Sequence, residues 1–447
     1  MGDSPPSTPH SIPVVGWRAT FASLSVPEFA LYFYGMVAFF FGMNMMVVLR
    51  GYLVYDLTDS EVALALIMLS VALPMLVMAP IGGVIADRVD RRSLMIWAQS
   101  AVCVLNLINT VLISTGVVEF WHLLILSALS GTTFSFVMPA RQAIIPNLVP
   151  RELLMNGMSL SSSAMNGTRI IAPAVGGLLI APIGMGGGFA VLTAMYAISV
   201  FFTIGLPKVP PVAPEGDVTF FGDFIDGFRY IRNDRLVMGL LLLGIVPMIF
   251  AMPYQTLMPV FAIKVWHVGS RGLGVLQAMS GVGGLAGTLL TANLDRSQSK
   301  GRYMLVAAMA TGVFLVAFSL SPFGVALPLL AIVGLSMMVF STVNSTVITS
   351  IVPDGMRGRV MSVAMMTFGL MPLGGVPASL AAEAIGTPAV VAIGGVLLMV
   401  TVAAAYAVFP QFRRLDSAIQ IQRADRDRER AWEGEAAIAR AASAGGR

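Results

Sequence analysis

Five charged side chains stand close together in an otherwise apolar region, within the sequence GGVIADRVDRRSLM at residues 82–95. They are Asp87, Arg88, Asp90, Arg91 and Arg92. Residues 62–86 and 93–118 on either side carry no charge. A carboxylate such as Asp87 can bind the positive N-terminus of a helix or a basic side chain, and Gly83 would allow two helices to approach closely. The stretch therefore predicts an ionic latch at Asp87; the alternative is a solvated loop charge.

The composition of the whole chain is that of a membrane protein. Of 447 residues, 57% are hydrophobic and 11% are charged, and the mean hydropathy is +0.84. Because ~20 apolar residues cross a ~30 Å hydrocarbon core, the uncharged stretches can be interpreted as spans. They predict an all-α protein with twelve transmembrane helices, at 29–49, 62–86, 93–118, 123–140, two in 156–207, 236–263, 272–294, two in 303–353, 360–382 and 384–412.

The distribution of basic residues predicts the orientation in the membrane. Most of the 27 Lys and Arg residues fall either in loops on the same side of the membrane as the N-terminus or in the C-terminal tail. The opposite loops hold Arg50, Lys264 and Arg271, and Arg169 stands alone inside a predicted span. Since basic residues accumulate on the cytoplasmic side, both termini are predicted to be cytoplasmic.

The chain divides into two halves that resemble each other. Pro150 and Pro353 follow even-numbered spans, and Met158 and Met361 pair at the same sequence offset. An internal repeat of six spans is typical of transporters that rock two bundles around a central site. The predicted organisation is a cytoplasmic N-terminal tail (1–28), a six-helix bundle (29–206), a central cytoplasmic loop with an amphipathic helix (207–235), a second bundle (236–410) and a charged cytoplasmic tail (411–447).

Several motifs together resemble the major facilitator superfamily, and within it the bacterial exporters related to the enterobactin exporter and to drug efflux proteins. They are LVYDLTDS, GGVIADRVDRR, MPARQAIIPNLVP, RIIAPAVGG and VPDGMRGRVMS, spread along the whole chain. The resemblance implies two pseudo-symmetric six-helix bundles, a central cavity and alternating access in the bacterial cytoplasmic membrane. It also implies a small-molecule substrate.

The resemblance gives the charged stretch a gating role at the cytoplasmic mouth. Gly83, Asp87, Arg88, Arg91 and Arg92 match the family's loop motif. The partners expected across the mouth are Arg141, Arg357, Gly358 and Arg359. The second half has Thr291 where the corresponding acid is expected, so the predicted gate is asymmetric.

The segment RIIAPAVGG resembles the superfamily's antiporter motif and favours export. Arg169, Pro173, Gly176 and Gly177 fit it, whereas Ala172 replaces a glycine. The alternative is a kinked, closely packed helix, because small residues favour close packing in lipid anyway.

The residues expected to line the cavity are polar side chains within predicted spans. An intramembrane charge such as Arg169 is costly and indicates a functional site by default. The uncharged candidates are Asn44, Asn166, Gln255, Gln277 and Asn344, each of which could instead bond to a neighbouring helix. The many methionines suit a substrate with a large apolar surface, such as a drug-like compound, a siderophore or an amphipathic metabolite.

The energy source is expected to be a proton gradient. No GxxxxGK[ST] loop for nucleotide is present. Asp87 or Glu28 is the favoured proton carrier among the carboxylates at span ends, which also include Asp56, Glu61 and Glu383.

No enzymatic site, cofactor or nucleic-acid partner is predicted. HExxH and GxSxG are absent, and His10, His122 and His267 are too scattered for a metal site. The expected unit is a monomer in the lipid bilayer. Two alternatives stay open: uptake by the same fold, and a transporter-like sensor.

Overall fold

The computed structural model describes residues 21–208, 220–294, 299–353, 356, 359–361, 363 and 371–408, and all regular elements in these ranges are helical. Most of both predicted tails, and Arg357 and Gly358, lie outside the described residues. The backbone of Asp87 is helical, but its side chain is among those left undescribed. The predicted latch at Asp87 therefore stays a prediction.

The first half consists of five long helices. A short 3-10 turn (Ala22–Ser25) leads into the first, and another (Arg151–Leu153) precedes the last. The helices are α1 (Pro27–Thr58), α2 (Glu61–Arg88), α3 (Arg91–Ser114), α4 (Phe120–Leu148) and α5 (Leu154–Ile204).

The second half follows the helix α6 (Phe220–Asn233), which lies in the predicted central loop. Its membrane part begins with α7 (Arg235–Phe250), α8 (Pro253–Val260) and a π turn (Phe261–Val265). It continues with α9 (Gly269–Leu294), α10 (Lys300–Leu320), α11 (Phe323–Ile351), α12 (Met371–Ile385) and α13 (Thr387–Val408).

Ten helical stretches of the described chain are long and apolar enough to cross a membrane. One of them, α5, contains 51 residues, far more than the ~20 that one span needs. It breaks at Gly184, whose φ of 70° and ψ of 177° are accessible to glycine without a Cβ penalty. Gly184 lies within the sequence PIGMGGG, where the break between two spans is predicted.

Two helix ends differ from those predicted. We expected the first span to end before Arg50 and the fourth before Arg141, because each is a charge next to an apolar run. Instead α1 continues to Thr58 and α4 to Leu148, so both arginines lie inside helices. Arg50 finds an acceptor within the bundle, since its Nη1 donates to Ser127 Oγ at 3.2 Å. The placement of Arg50 in a loop, and of Arg169 as the only charge inside a span, is therefore wrong, since the candidate span Pro27–Thr58 contains Arg50.

One of the five clustered charges caps a helix. Asp90 precedes α3, and its carboxylate accepts hydrogen bonds from the Ser93 amide at 2.9 Å and from Ser93 Oγ at 2.6 Å. Such a cap satisfies an amide that has no partner within the helix. Part of the charge density in this stretch thus serves the turn between α2 and α3.

The two halves meet along two seams. In one, the limb 154–183 of α5 packs against α9; in the other, α2 packs against α12. Within the first half, α1 packs against α5 and α2 against α4. Small residues at such contacts let helix backbones approach, which is how helices associate in lipid.

Adjacent glycines in α2 have different surroundings. A Cβ on Gly82 would overlap the Ser135 backbone of α4, lying 2.8 Å from its carbonyl carbon. A Cβ on Gly83 would meet no heavy atom within 4 Å among the described residues. In this conformation the close approach predicted for Gly83 falls at Gly82 instead.

We expect Gly82→Ala to destabilise the protein by about 1–3 kcal/mol, the usual cost of overpacking. Gly83→Ala should leave stability unchanged. Melting temperatures of the two detergent-purified variants measure the difference. Equal melting temperatures would contradict the structural distinction between the two positions.

The central helix α6 is tied to the second half. A Cβ on Gly227 would lie 2.9 Å from the backbone oxygen of Arg359, which leads towards α12. The Nη1 atom of Arg359 donates to Met356 Sδ at 3.7 Å. The backbone of Arg359, one of the predicted gate residues, is therefore packed against the central helix.

Candidate functional site

The helix bundle has two ends that differ in charge. At the basic end, α2 ends and α3 begins, and Arg88, Arg91 and Arg92 lie there. The opposite end carries the turn from α1 to α2 and the start of α9. We use these two names below.

An ion pair joins the two halves at the opposite end. Lys264 Nζ lies 3.3 Å from Glu61 Oε1, and Glu61 is only 3% exposed while Lys264 is 56% exposed. The two residues are 203 positions apart in the sequence. The same offset separates Pro150 from Pro353, so equivalent positions of the two halves meet here.

Glycines bring the halves together near the same end. Gly177 of α5 crosses Gly274 of α9 so closely that a Cβ on Gly177 would lie 2.5 Å from the Gly274 amide nitrogen. Gly176 faces the first half instead, where its Cβ would lie 2.9 Å from Met45 Cγ. Pro173 is buried beside them. The close-packing alternative for this motif is thus observed, and its antiporter role is untested.

The face of α5 that holds these small residues becomes exposed towards the basic end. With 3.6 residues per turn, Pro173 and Gly176 share one sector of the helix with earlier residues that are all exposed. Those exposed residues are Met155, Met158, Ser162, Asn166 and Arg169.

This exposed stripe does not face the outer surface of the bundle. Ile171 and Leu178 lie on the other side of the helix, where they are 56% and 47% exposed as expected of lipid-facing residues. The stripe of α5 therefore faces the space between the halves.

The partner helix shows the same change along its length. Ser270 and Thr288 lie five turns apart on one face of α9, the face that meets α5. Ser270 is buried at the opposite end, whereas Thr288 is exposed towards the basic end. These exposures indicate that the space between the halves opens at the basic end and narrows towards the opposite end. We call this space the funnel.

Polar groups of α8 and α9 meet midway along α9. Tyr254 Oη lies 3.1 Å from Ser280 Oγ, and Gln255 Nε2 donates to Tyr254 Oη at 3.3 Å. Arg169 of the first half adjoins these groups along the chain, because its neighbour Ile170 packs against Gly281, the residue after Ser280; a Cβ on Gly281 would lie 3.1 Å from Ile170 Cβ. We call Arg169, Tyr254, Gln255 and Ser280 the central polar cluster.

The remaining predicted cavity residues are dispersed. Asn166 lies one turn from Arg169 on the exposed stripe, and Gln277 is half-buried one turn before Ser280. Asn44 is half-buried and donates to the Phe40 carbonyl at 2.7 Å. Asn344 is buried against Gly244 of α7, within the second half.

At the basic end, two predicted gate residues bind within their own half. Arg91 Nη1 donates to Asn147 Oδ1 at 3.0 Å, and Arg92 donates to the Ile204 carbonyl. Arg88 is exposed at the end of α2. Arg91 and Arg92 thus join the start of α3 to the ends of α4 and α5.

Arg141, predicted to lie in a loop, is instead a buried cation among aromatic rings. Its guanidinium carbon lies 4.6 Å from the ring centre of Phe39 and 5.7 and 5.9 Å from those of Phe40 and Tyr32. Its guanidinium nitrogens make no hydrogen bond of good geometry to a described residue. The available signal was the aromatic residues of the first span, since Phe39 and Phe40 lie about two turns after Tyr32 on α1.

We expect Arg141→Met to raise the melting temperature. Burying a cation costs several kcal/mol, more than the ~2 kcal/mol of a desolvated cation–π contact. Replacing a buried charge by an apolar side chain of similar volume is often stabilising, by ~1–4 kcal/mol. Thermal unfolding in detergent measures this, with Arg88→Met as the exposed control. A lower melting temperature for Arg141→Met would contradict the expectation.

Comparison with known proteins decides the family. A family model described as transmembrane secretion effector matches residues 18–430. The chain belongs to this family of the major facilitator superfamily. It is accordingly a multi-pass membrane transporter and not an enzyme. No group of three metal-ligating side chains occurs within the described part of the chain.

Curated relatives are efflux proteins. Macrolide efflux protein A of Streptococcus pyogenes is 26% identical over 365 residues, which cover 80% of this chain and 90% of the relative. The enterobactin exporter of Citrobacter koseri is 27% identical over 285 residues, which cover 63% of this chain and 67% of the relative.

Solved structures share the fold. A bacterial homolog of the human lysosomal transporter Spinster, in an inward-facing and unoccupied conformation, has a TM-score of 0.66 at 15% identity and covers 91% of this chain and 99% of its own. The nucleoside transporter NupG has a TM-score of 0.66 at 14% identity, with 85% and 98% covered.

Proposed function

We propose that this transporter exports a small lipophilic or amphipathic molecule across the bacterial cytoplasmic membrane by alternating access. The observation that carries the proposal is the funnel, which narrows towards the end where Glu61 and Lys264 pair, together with the central polar cluster, which draws on both halves. The efflux activity named for both groups of curated relatives supports the direction of transport.

Twelve transmembrane helices with cytoplasmic termini fit this proposal. The two limbs of α5 count as two spans because of the break at Gly184, and α12 overlaps the predicted span 360–382, part of which is outside the described residues. The basic end corresponds to the cytoplasm by the positive-inside rule. The conformation is then inward-open. All residues of the central polar cluster come from one chain, which fits a monomeric transporter.

Proton antiport is the proposed energy source. Glu61 is the buried carboxylate among the described side chains, and its partner belongs to the other half. A proton on Glu61 would neutralise its attraction to Lys264 and release the closed end. This makes Glu61 the favoured coupling carboxylate; among the other candidates, Glu28 is exposed at the start of α1.

The test measures accumulation of lipophilic dyes and macrolides in cells with and without the protein, in the presence and absence of a protonophore. Proton-driven export predicts lower accumulation that the protonophore abolishes. Higher accumulation in cells that hold the protein would establish uptake instead. Binding of the compounds without any change in accumulation would favour a sensor.

A further inference from the structure

Arg169 is a cation at the middle of a transmembrane limb. It is equidistant in sequence from Leu154, where α5 begins, and from Gly184, where it breaks. Its side chain is exposed on the funnel face and not on the lipid face of Ile171 and Leu178. Arg169 makes no ion pair or hydrogen bond with the residues that the structure describes.

No carboxylate pairs with Arg169 among the side chains that the structure describes. The other members of the central polar cluster, Tyr254, Gln255 and Ser280, carry neutral hydroxyl and amide groups. Carboxylates with described side chains lie at helix ends or in turns, including Glu28, Asp56, Glu61, Glu119 and Glu383. The middle of the funnel therefore carries a net positive charge.

A charge within a transmembrane segment is costly, so such residues usually face the bundle interior or a water-filled cavity. Intramembrane charges are usually paired with one another or placed where they bind a substrate or ion. Arg169 has no observed protein partner, and a guanidinium offers several N–H donors in a planar fork that matches a carboxylate or phosphate. A negatively charged group entering the funnel would meet this fork directly.

The stripe leading to Arg169 also indicates what the rest of the ligand would contact. Met155, Met158 and Met165 are exposed along the funnel side of α5, between the basic end and Arg169. Methionine adapts to irregular apolar and aromatic surfaces. The two features together suit a molecule with an apolar body and one acidic group.

We propose that the transported molecule is an amphipathic organic anion whose acidic group binds Arg169. The claim that the anion is transported rests on the proposed function, whereas the claim that Arg169 binds an anion does not. It narrows the substrate class within the lipophilic and amphipathic molecules considered above. It assigns Arg169 the role of substrate recognition in place of helix packing.

The binding experiment uses a matched pair of fluorescent probes, 1-pyrenebutyrate and its uncharged amide, with the full purified chain. We expect the carboxylate to bind at least tenfold more tightly than the amide, as a charge-assisted hydrogen bond permits. Arg169→Gln should abolish this preference and leave amide binding unchanged, while Arg169→Lys should retain part of it. Arg271→Gln, at an exposed arginine at the opposite end, is the matched control.

Three results would overturn the proposal. They are no binding of either probe, equal binding of both by the unaltered protein, and a preference for the carboxylate that persists in Arg169→Gln. If neither Arg169→Gln nor Arg169→Lys bound either probe, Arg169 would be assigned to helix packing. This result would also overturn the proposal. Transport of the same probes into inverted vesicles tests the export function separately. Charge-selective binding without transport would contradict export but would still support the anion site.

Discussion

Gly177→Ala is expected to lower transport at least tenfold and to open the end of the protein that is closed here. The added methyl group would lie 2.5 Å from the Gly274 amide nitrogen. This nitrogen belongs to the backbone of α9, so it cannot move aside by a side-chain rotation. Overpacking of this kind costs about 1–3 kcal/mol. Since 1.4 kcal/mol is a factor of ten in an equilibrium constant, the closed conformation loses roughly tenfold or more in population.

Thiol accessibility measures the conformational shift. The chain has one cysteine, Cys103, so Cys103→Ser gives a cysteine-free background. Ser162→Cys places a reporter on the exposed funnel stripe. In the presence of Gly177→Ala, this reporter should react more slowly with a thiol reagent applied from the basic side, because the funnel closes there as the other end opens.

Gly284→Ala is the matched control for Gly177→Ala. It lies on α9, the helix that contains Gly274, and a Cβ there would meet nothing within 4 Å among described residues. Transport and reporter labelling should both stay at their original values. If Gly177→Ala behaved like Gly284→Ala, the tight crossing would not be needed for the transport cycle.

Lys264→Met is expected to lower downhill substrate transport, measured without a proton gradient, more than Glu61→Gln does, although both remove the same ion pair. The reason is that their burial differs: Glu61 is 3% exposed and Lys264 is 56% exposed. Removing Lys264 leaves a buried carboxylate without its partner, whereas removing the charge of Glu61 leaves a lysine that water can solvate. Because Lys264 is largely solvated, we expect roughly a fivefold difference rather than the full cost of a buried pair.

The double variant Glu61→Gln with Lys264→Met distinguishes the effect of the ion pair from the separate effects of the two side chains. It should recover most of the downhill transport lost in Lys264→Met, since no unpaired buried charge remains. Downhill vesicle transport rates of the unaltered protein, the two single variants and the double variant form a complete mutant cycle. Glu383→Gln, an exposed carboxylate at the end of α12, serves as the control. Additive losses in the double variant would show that Glu61 and Lys264 act independently.

If Glu61 also carries the coupling proton, Glu61→Gln has a further consequence. The variant should still allow downhill movement of substrate but should no longer respond to a protonophore. A protonophore response equal to that of the unaltered protein would assign coupling to another carboxylate, with Asp87 and Glu28 the next candidates.

The sequence by itself determined the features that depend on local composition. Apolar runs of the right length predicted the membrane helices, and ten such stretches are observed within the described residues. The run PIGMGGG predicted the break at Gly184, because glycine adopts backbone angles that other residues avoid. The spacing of the phenylalanines after Phe220 predicted an amphipathic helix, where α6 is observed. Signature motifs also predicted the family, and the match over residues 18–430 confirmed it.

Positions of charged residues within helices were less predictable. A span was expected to stop at the first charge, yet α1 contains Arg50 and α4 contains Arg141. A helix can continue through an arginine when another helix supplies a hydroxyl or an aromatic face. Those neighbours, Ser127 for Arg50 and Phe39 for Arg141, lie far away in the sequence, so local composition could not reveal them.

Only the tertiary structure decided how the two halves meet. The sequence contains Glu61, Lys264, Gly177 and Gly274, but their pairing depends on the placement of one half against the other. The same placement decided that Arg169 faces the funnel and not lipid, since Ile171 and Leu178 are exposed on the other side of α5. Hydrophobic periodicity orients a helix towards lipid or protein, but in a membrane it does not choose the partner, since lipid and apolar side chains are equally apolar. Partner choice comes from the fit of small residues and the few polar contacts between helices.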